Sequence, residues 1–107
     1  MAFEAFEVAI QMVRALEGPL AALERRDPSL ASQLRRAAAS VPLNLSEGRR
    51  RTGKDRIHLW RVAAGSADEV VASLRVAEAF GYLTAAATAE ALGFTDRVLA
   101  MLWRLTR

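Results

Sequence analysis

The chain predicts an all-α fold, an antiparallel up-down bundle of four helices in a single domain spanning residues 1–107, and three observations point to it. Apolar residues recur at three- and four-residue steps along most of the 107 residues, the period of a helix with one buried face. No stretch alternates apolar and polar residues as a half-buried strand would. Boundary signals at Asp27-Pro28, Gly48 to Thr52 and Gly81 to Thr84 divide the chain into segments of about 20 to 27 residues, long enough for bundle helices joined by short loops.

The first helix carries Phe6, Ile10, Val13, Leu16, Leu20 and Leu23. Its stripe crosses Gly18-Pro19, where proline lacks an amide proton and clashes with the preceding turn. Because the apolar phase continues, the segment reads as one kinked helix, with two short helices as the alternative. Asp27-Pro28-Ser29 starts the second helix, with aspartate at the N-cap and proline at the first helical position. Leu30, Leu34, Ala37, Ala38, Val41 and Leu45 form its stripe, Pro42 should bend it, and Gly48 is its expected stop. Thr52-Gly-Lys-Asp55 resembles a capping box for the third helix. Its inner face reads as Ile57, Trp60, Ala64, Ala67, Val71 and Leu74, and the small residues Ala63 to Ala67 invite a close helix crossing. Thr84 caps the fourth helix, which is apolar on two sides. Leu92, Leu99 and Leu102 mark one; Phe94, Val98, Met101 and Leu105 mark the other. The second side is either a surface for a partner subunit or part of one broad stripe.

Composition narrows the function classes. Hydrophobic residues make up 52% of the chain, an excess that a small domain hides poorly and an oligomer can bury. There is no cysteine and one histidine, His58, so cysteine and multi-histidine metal sites are excluded, and no cofactor is expected. The N-terminus carries Glu4 and Glu7 rather than a basic leader, and no apolar run reaches the roughly 18 residues of a membrane span. A cytoplasmic protein without membrane contact is expected.

Net charge is +3, unevenly placed. From Arg35 to Arg61 there are eight basic residues against Glu47 and Asp55; the remainder holds seven basic against ten acidic. Such a segment suits a polyanion. At its centre is GRRRTGKD, Gly48 to Asp55, which matches seven of the eight positions of a phosphate-binding P-loop. That motif needs a buried strand before it and a Ser or Thr hydroxyl for magnesium at the last position. Here the run follows a helix, and the last residue is Asp55, a carboxylate that repels phosphate. What remains is a helix-to-helix turn bearing Arg49, Arg50, Arg51 and Lys54, with Arg56 just beyond. Guanidinium groups bind phosphate bidentately and lysine acts as a point charge. The set can bind RNA or DNA backbones but has no base-reading power. Arg61 shares a face with Lys54. Arg35 and Arg36 extend the patch only if they share its surface; Arg35 could instead pair with acids on another helix. His58 reads as a surface or interface residue, and Asp68 and Glu69, about 100° apart on a helix, do not form a two-carboxylate site. Glu69 could face the bundle and accept from Asn44 or Ser40. Trp60 and Trp103 read as packing residues. No catalytic constellation emerges.

The central segment also carries a set of motifs: Gln33-Leu34-Arg35-Arg36-Ala37, Ser40-Val41-Pro42, Asn44-Leu45-Ser46-Glu47-Gly48, Gly65-Ser66 with Glu69, and Gly81-Tyr82-Leu83. These resemble the four-helix-bundle family named after proteins encoded in 23S rRNA intervening sequences, over roughly half the chain. Ser46 stands where that family usually has alanine, and His58 and Trp60 where it prefers phenylalanine. The resemblance implies a bundle assembled as a ring-shaped homo-oligomer, commonly a pentamer. It also implies kinship with the accessory variability determinant of diversity-generating retroelements, a basic barrel that binds nucleic acid and works with a reverse transcriptase. On that footing the expected interface comprises Arg35, Arg36, Arg49, Arg50, Arg51, Lys54, Arg56 and Arg61. The alternative function is a protein-interaction or scaffold module, with Phe94, Val98, Met101 and Leu105 as its contact surface.

Overall fold

The computed structural model describes residues 3–107. It is all-α, with five helices and no strand among the described residues: α1 (Glu4–Ala15), α2 (Glu17–Arg26), α3 (Pro28–Arg49), α4 (Gly53–Ala79) and α5 (Ala85–Thr106). The expected count of four is therefore corrected to five, because the first segment is interrupted. Proline at 19 cannot donate to the carbonyl of Ala15, and its ring crowds that carbonyl. Accordingly α1 stops at Ala15, and Pro19 falls in the first turn of α2, where amides have no intrahelical acceptor. Leu16 between them stays in the right-handed region (φ −86°, ψ −5°), so the chain keeps its direction and the apolar stripe keeps its phase.

The molecule measures 42 × 22 × 20 Å. Its long axis matches α4, whose 27 residues span about 40 Å at 1.5 Å per residue. Helices α3 and α4 pack antiparallel along their lengths, as do α4 and α5. The α1–α2 rod closes the bundle, with α1 against α5 and α3, and α2 against α3. Met12, Leu16, Leu23, Leu34, Val41, Leu45, Val70, Leu74, Val98 and Leu102 have no exposed surface. On α4 the buried line runs through Trp60, Ala63, Ala67, Val70, Leu74 and Ala77, so Ala63, Val70 and Ala77 join it while Ile57, Ala64 and Val71 sit at its edge. Where the small residues fall, α3 approaches closely: Ser66 Oγ donates to Ser40 Oγ at 2.8 Å.

The helix ends expected at Asp27, Gly81 and Thr84 form by local chemistry, and the cap expected at Thr52 does not. Asp27 Oδ1 accepts from the Leu30 amide at 3.0 Å, and Thr84 Oγ1 accepts from the Ala87 amide at 3.1 Å. After α4, the amide of Gly81 donates to Glu78 O and that of Tyr82 to Ala77 O, both at 2.9 Å. This double closure needs a left-handed residue, and Gly81 supplies it (φ +78°). The exception is Thr52, whose side chain caps nothing. Gly53 at the first helical position is left-handed (φ +56°), which removes the run of right-handed residues a capping box requires. Expected outcomes differ accordingly. Asp27→Ala and Thr84→Ala should each cost about 1 kcal/mol, while Thr52→Ala should stay within about 0.5 kcal/mol of the parent. Urea unfolding measures all three; a Thr52 loss equal to the others would contradict the cap assignments.

Helix α5 buries a face that an apolar count does not reveal. Thr88, Ala91, Thr95, Val98, Leu102 and Thr106 point into the core. The threonines are tolerated because their hydroxyls bond locally: Thr95 Oγ1 donates to Ala91 O and Thr106 Oγ1 to Leu102 O, each at 2.7 Å. Leu92 and Leu99 flank this seam on one side, Phe94 and Met101 on the other, all half-buried against the core. The two apolar sides are thus the shoulders of one broad buried face. Val98 is fully buried in its own chain and is not available to a partner. Of the expected contact set only Leu105 is exposed, next to Trp103, which is 64% exposed. No described helix is long and apolar enough to cross a membrane.

Candidate nucleic-acid interface

The basic segment lies at the turn joining α3 to α4, and that turn is built by packing. Gly48 is buried inside the last turn of α3, without positive φ. It does not stop the helix, which runs on to Arg49; its missing side chain makes room for the indole of Trp60. A Cβ placed there would lie 2.6 Å from Trp60 Cδ1 and Nε1. The indole Nε1 donates to Leu45 O at 3.1 Å. Arg56 reaches back from α4, its Nε donating to Gly48 O at 3.2 Å and its Nη2 to Arg49 O at 2.9 Å. These are carbonyls of the last turn of α3; Gly48 O also accepts from the Arg51 amide at 3.0 Å. The guanidinium also sits 5.4 Å from the Trp60 ring centroid. Arg56 is thus a structural clamp on the turn.

The remaining cations separate into distinct environments. Arg49 lies 5.3 Å from the ring centroid of Phe3. Arg51 Nη2 pairs with Glu47 Oε1 at 2.7 Å, one helical turn away; an exposed pair of this kind contributes about 0.3–0.5 kcal/mol and yields readily to a phosphate. Arg50 and Lys54 are exposed and have no ion pair or side-chain hydrogen bond among the described residues. Arg61 Nη2 donates to Thr106 O at 3.1 Å, closing the end of α5. Lys54, Ile57, His58 and Arg61 line an open hollow of about 370 Å³ on α4. His58 was legible as a member of this group from its spacing, four residues after Lys54 and three before Arg61.

Arg35 and Arg36 do not join the turn. They lie about 20 Å from Arg49 along α3, at 1.5 Å per residue. Arg35 Nη2 bonds Glu24 Oε2 of α2 at 3.0 Å, the acid on another helix that the sequence left open. Arg36 lines a separate groove between α3 and α4, with Gln33, Ala37, Ser40, Ser66 and Glu69. Next to that groove Asn44 Nδ2 donates to Ser40 O and Oγ at 2.9 and 3.0 Å. Glu69 is exposed and accepts from neither Asn44 nor Ser40, a correction to its expected role. Ser40 and Ser66 satisfy each other instead. Among the described residues no three His, Asp or Glu side chains gather as a metal site.

Comparison with known proteins agrees with the fold. A solved structure from Bacteroides thetaiotaomicron, a protein with unknown function from the S23 ribosomal protein family, superposes with a TM-score of 0.87. The match covers 96% of this chain and 98% of that one at 14% sequence identity, a likeness of fold. No curated protein matches the chain. The model of the family described as 23S rRNA-intervening sequence protein matches residues 2–104. With nearly the whole chain inside that match, the protein belongs to the 23S rRNA-intervening sequence protein family.

Proposed function

We propose that this protein is a non-enzymatic helical protein that binds RNA or DNA backbones through the α3–α4 turn. The observation that carries the reading is the pair Arg50 and Lys54, two exposed cations at one turn with no carboxylate holding them among the described residues. Arg51 stands beside them in a weak exposed pair, Arg49 at the end of α3, and the first amides of α4 add partial positive charge. Arg61 and, farther away, Arg35 and Arg36 form an outer set. A ring-shaped homopentamer, as the family resemblance suggests, would repeat the patch five times and raise affinity by multivalency. Work alongside a reverse transcriptase is the corresponding cellular role.

The test is fluorescence anisotropy with a labelled single-stranded RNA across a salt series, after light scattering has fixed the oligomer mass. Log affinity should fall linearly with log salt. Arg50→Ala/Lys54→Ala should weaken binding and reduce the slope by about 1 for each phosphate the variant no longer neutralises. Salt-independent binding, or an unchanged slope in the variant, overturns the reading.

A second reading is a protein-interaction module, favoured by Trp103 and Leu105. Trp103 is 64% and Leu105 39% exposed, and Leu105 borders a groove with Phe3, Ala5 and Met101. Under it, the double variant keeps its partner and Trp103→Ala loses it.

A further inference from the structure

We propose that the groove between α3 and α4 binds an unpaired guanine base; the inference deepens the nucleic-acid reading above and, for RNA, rests on it. The groove has a volume of about 350 Å³ and is lined by Gln33, Arg36, Ala37, Ser40, Ser66 and Glu69. Its two walls differ from its floor. On the floor Ser40 and Ser66 bond each other, and Ser40 also accepts from Asn44, which lies outside the lining. On the walls Gln33 and Arg36 of α3 face Glu69 of α4, and none of the three has a side-chain hydrogen bond or ion pair among the described residues. Arg36 and Glu69 line the same groove without closing on each other.

Opposed donor and acceptor groups across such a gap match guanine better than the other bases. Guanine offers two acceptors, O6 and N7, on one edge, and an arginine fork bonds both. Its Watson–Crick edge offers two donors, N1–H and the N2 amino group, and a carboxylate accepts both. Adenine has no acceptor at position 6 and cytosine and uracil have no paired donors of this kind, so each leaves Arg36 or Glu69 unsatisfied. Single-stranded bases are read on these edges, free of the duplex. Ala37 leaves the floor low enough for the ring to enter. The groove is also aligned with the proposed backbone site: Gln33, Ala37, Ser40, Asn44 and Glu47 follow one another at three- and four-residue steps along α3, and Glu47 pairs with Arg51 of the turn. Ser40 and Glu47 are about 10 Å apart along that stripe, at 1.5 Å per residue. One strand, a few nucleotides long, can lay phosphates at the turn and a base in the groove.

Two measurements test this. Backbone amide shifts are followed by NMR as guanosine 5′-monophosphate or adenosine 5′-monophosphate is added. Guanosine monophosphate should move the signals of Gln33, Ser40, Ser66 and Glu69; adenosine monophosphate should leave them in place. Equal shifts, or none with either, overturn the proposal. In parallel, anisotropy compares a short RNA holding one guanine with the same RNA holding adenine at that position. The guanine RNA should bind roughly tenfold tighter, since a bidentate contact discriminates bases by about that factor or more. Glu69→Ala and Arg36→Ala, both exposed changes, should abolish the preference. A preference that survives Glu69→Ala overturns the proposal. Failure of both RNAs to bind defeats the backbone reading, and the mononucleotide titration then decides the groove alone.

Discussion

Trp60→Ala is expected to remove about 3–5 kcal/mol of folding stability, a large share of the 5–15 kcal/mol typical of a domain. The residue is 7% exposed and joins three helices at one end of the bundle. Its ring lies 5.6 Å from that of Phe3, at the start of α1. Its Nε1 bonds Leu45 O of α3, and Arg56 lies over it within α4. Truncation leaves a void, deprives Leu45 O of its side-chain donor and strips Arg56 of its ring. Because Arg56 holds the last carbonyls of α3, the turn bearing Arg50 and Lys54 should loosen too. Urea unfolding gives the stability, and hydrogen exchange at Arg50 and Arg51 gives the local effect. Trp60→Phe keeps most of the buried ring and loses the indole bond, so a smaller cost, near 1 kcal/mol, is expected. Equal losses for the two variants would show that packing is not the main contribution.

Gly48→Ala should destabilise by about 1–3 kcal/mol, the usual cost of overfilling a packed site. This is the opposite of what helix propensity alone says, since alanine is favoured over glycine within a helix by about 0.8–1 kcal/mol. The added methyl would stand 2.6 Å from two indole atoms and 3.4 Å from Arg56 O. The indole has no easy retreat, being held by Phe3, Arg56 and Leu45 O. The sign should reverse once the ring is gone: in a Trp60→Ala background, Gly48→Ala should be neutral or stabilising by up to about 1 kcal/mol. A double-mutant cycle of thermal or urea unfolding measures this coupling. Additive losses would mean the clash is relieved elsewhere.

Much of the architecture was legible along the chain. Asp27-Pro28 starts α3, Thr84 caps α5 and Gly81 closes α4, because a cap is a local hydrogen bond or a local φ and needs no distant partner. The helical stripes were legible for the same reason. Pro19 and Pro42 mark the limit of that reading. Pro19 ends α1 at the carbonyl it would have served, whereas α3 runs on through Pro42, with residues buried on both sides of it, from Ala31 to Gly48, against the bundle. Local chemistry is similar at the two prolines; the extent of packing differs.

For the site, sequence alone determined that the positive charge gathers between Arg35 and Arg61 and that its centre is a helix-to-helix turn. Which of those charges is open to a ligand was decided by tertiary structure. Arg35 is drawn to Glu24 from eleven residues away, Arg61 to a carbonyl forty-five residues away, and Arg56 to the helix end it clamps. Likewise Gly48 reads as a helix stop until Trp60, twelve positions on, is seen against it, and the threonine seam of α5 reads as polar until its hydroxyls turn back to their own helix. Periodicity and capping depend on neighbours within a turn or two, so one chain encodes them openly. The partner of a long charged side chain, or the ring that fills a glycine's space, depends on which helices the bundle brings side by side, and only the folded chain determines that.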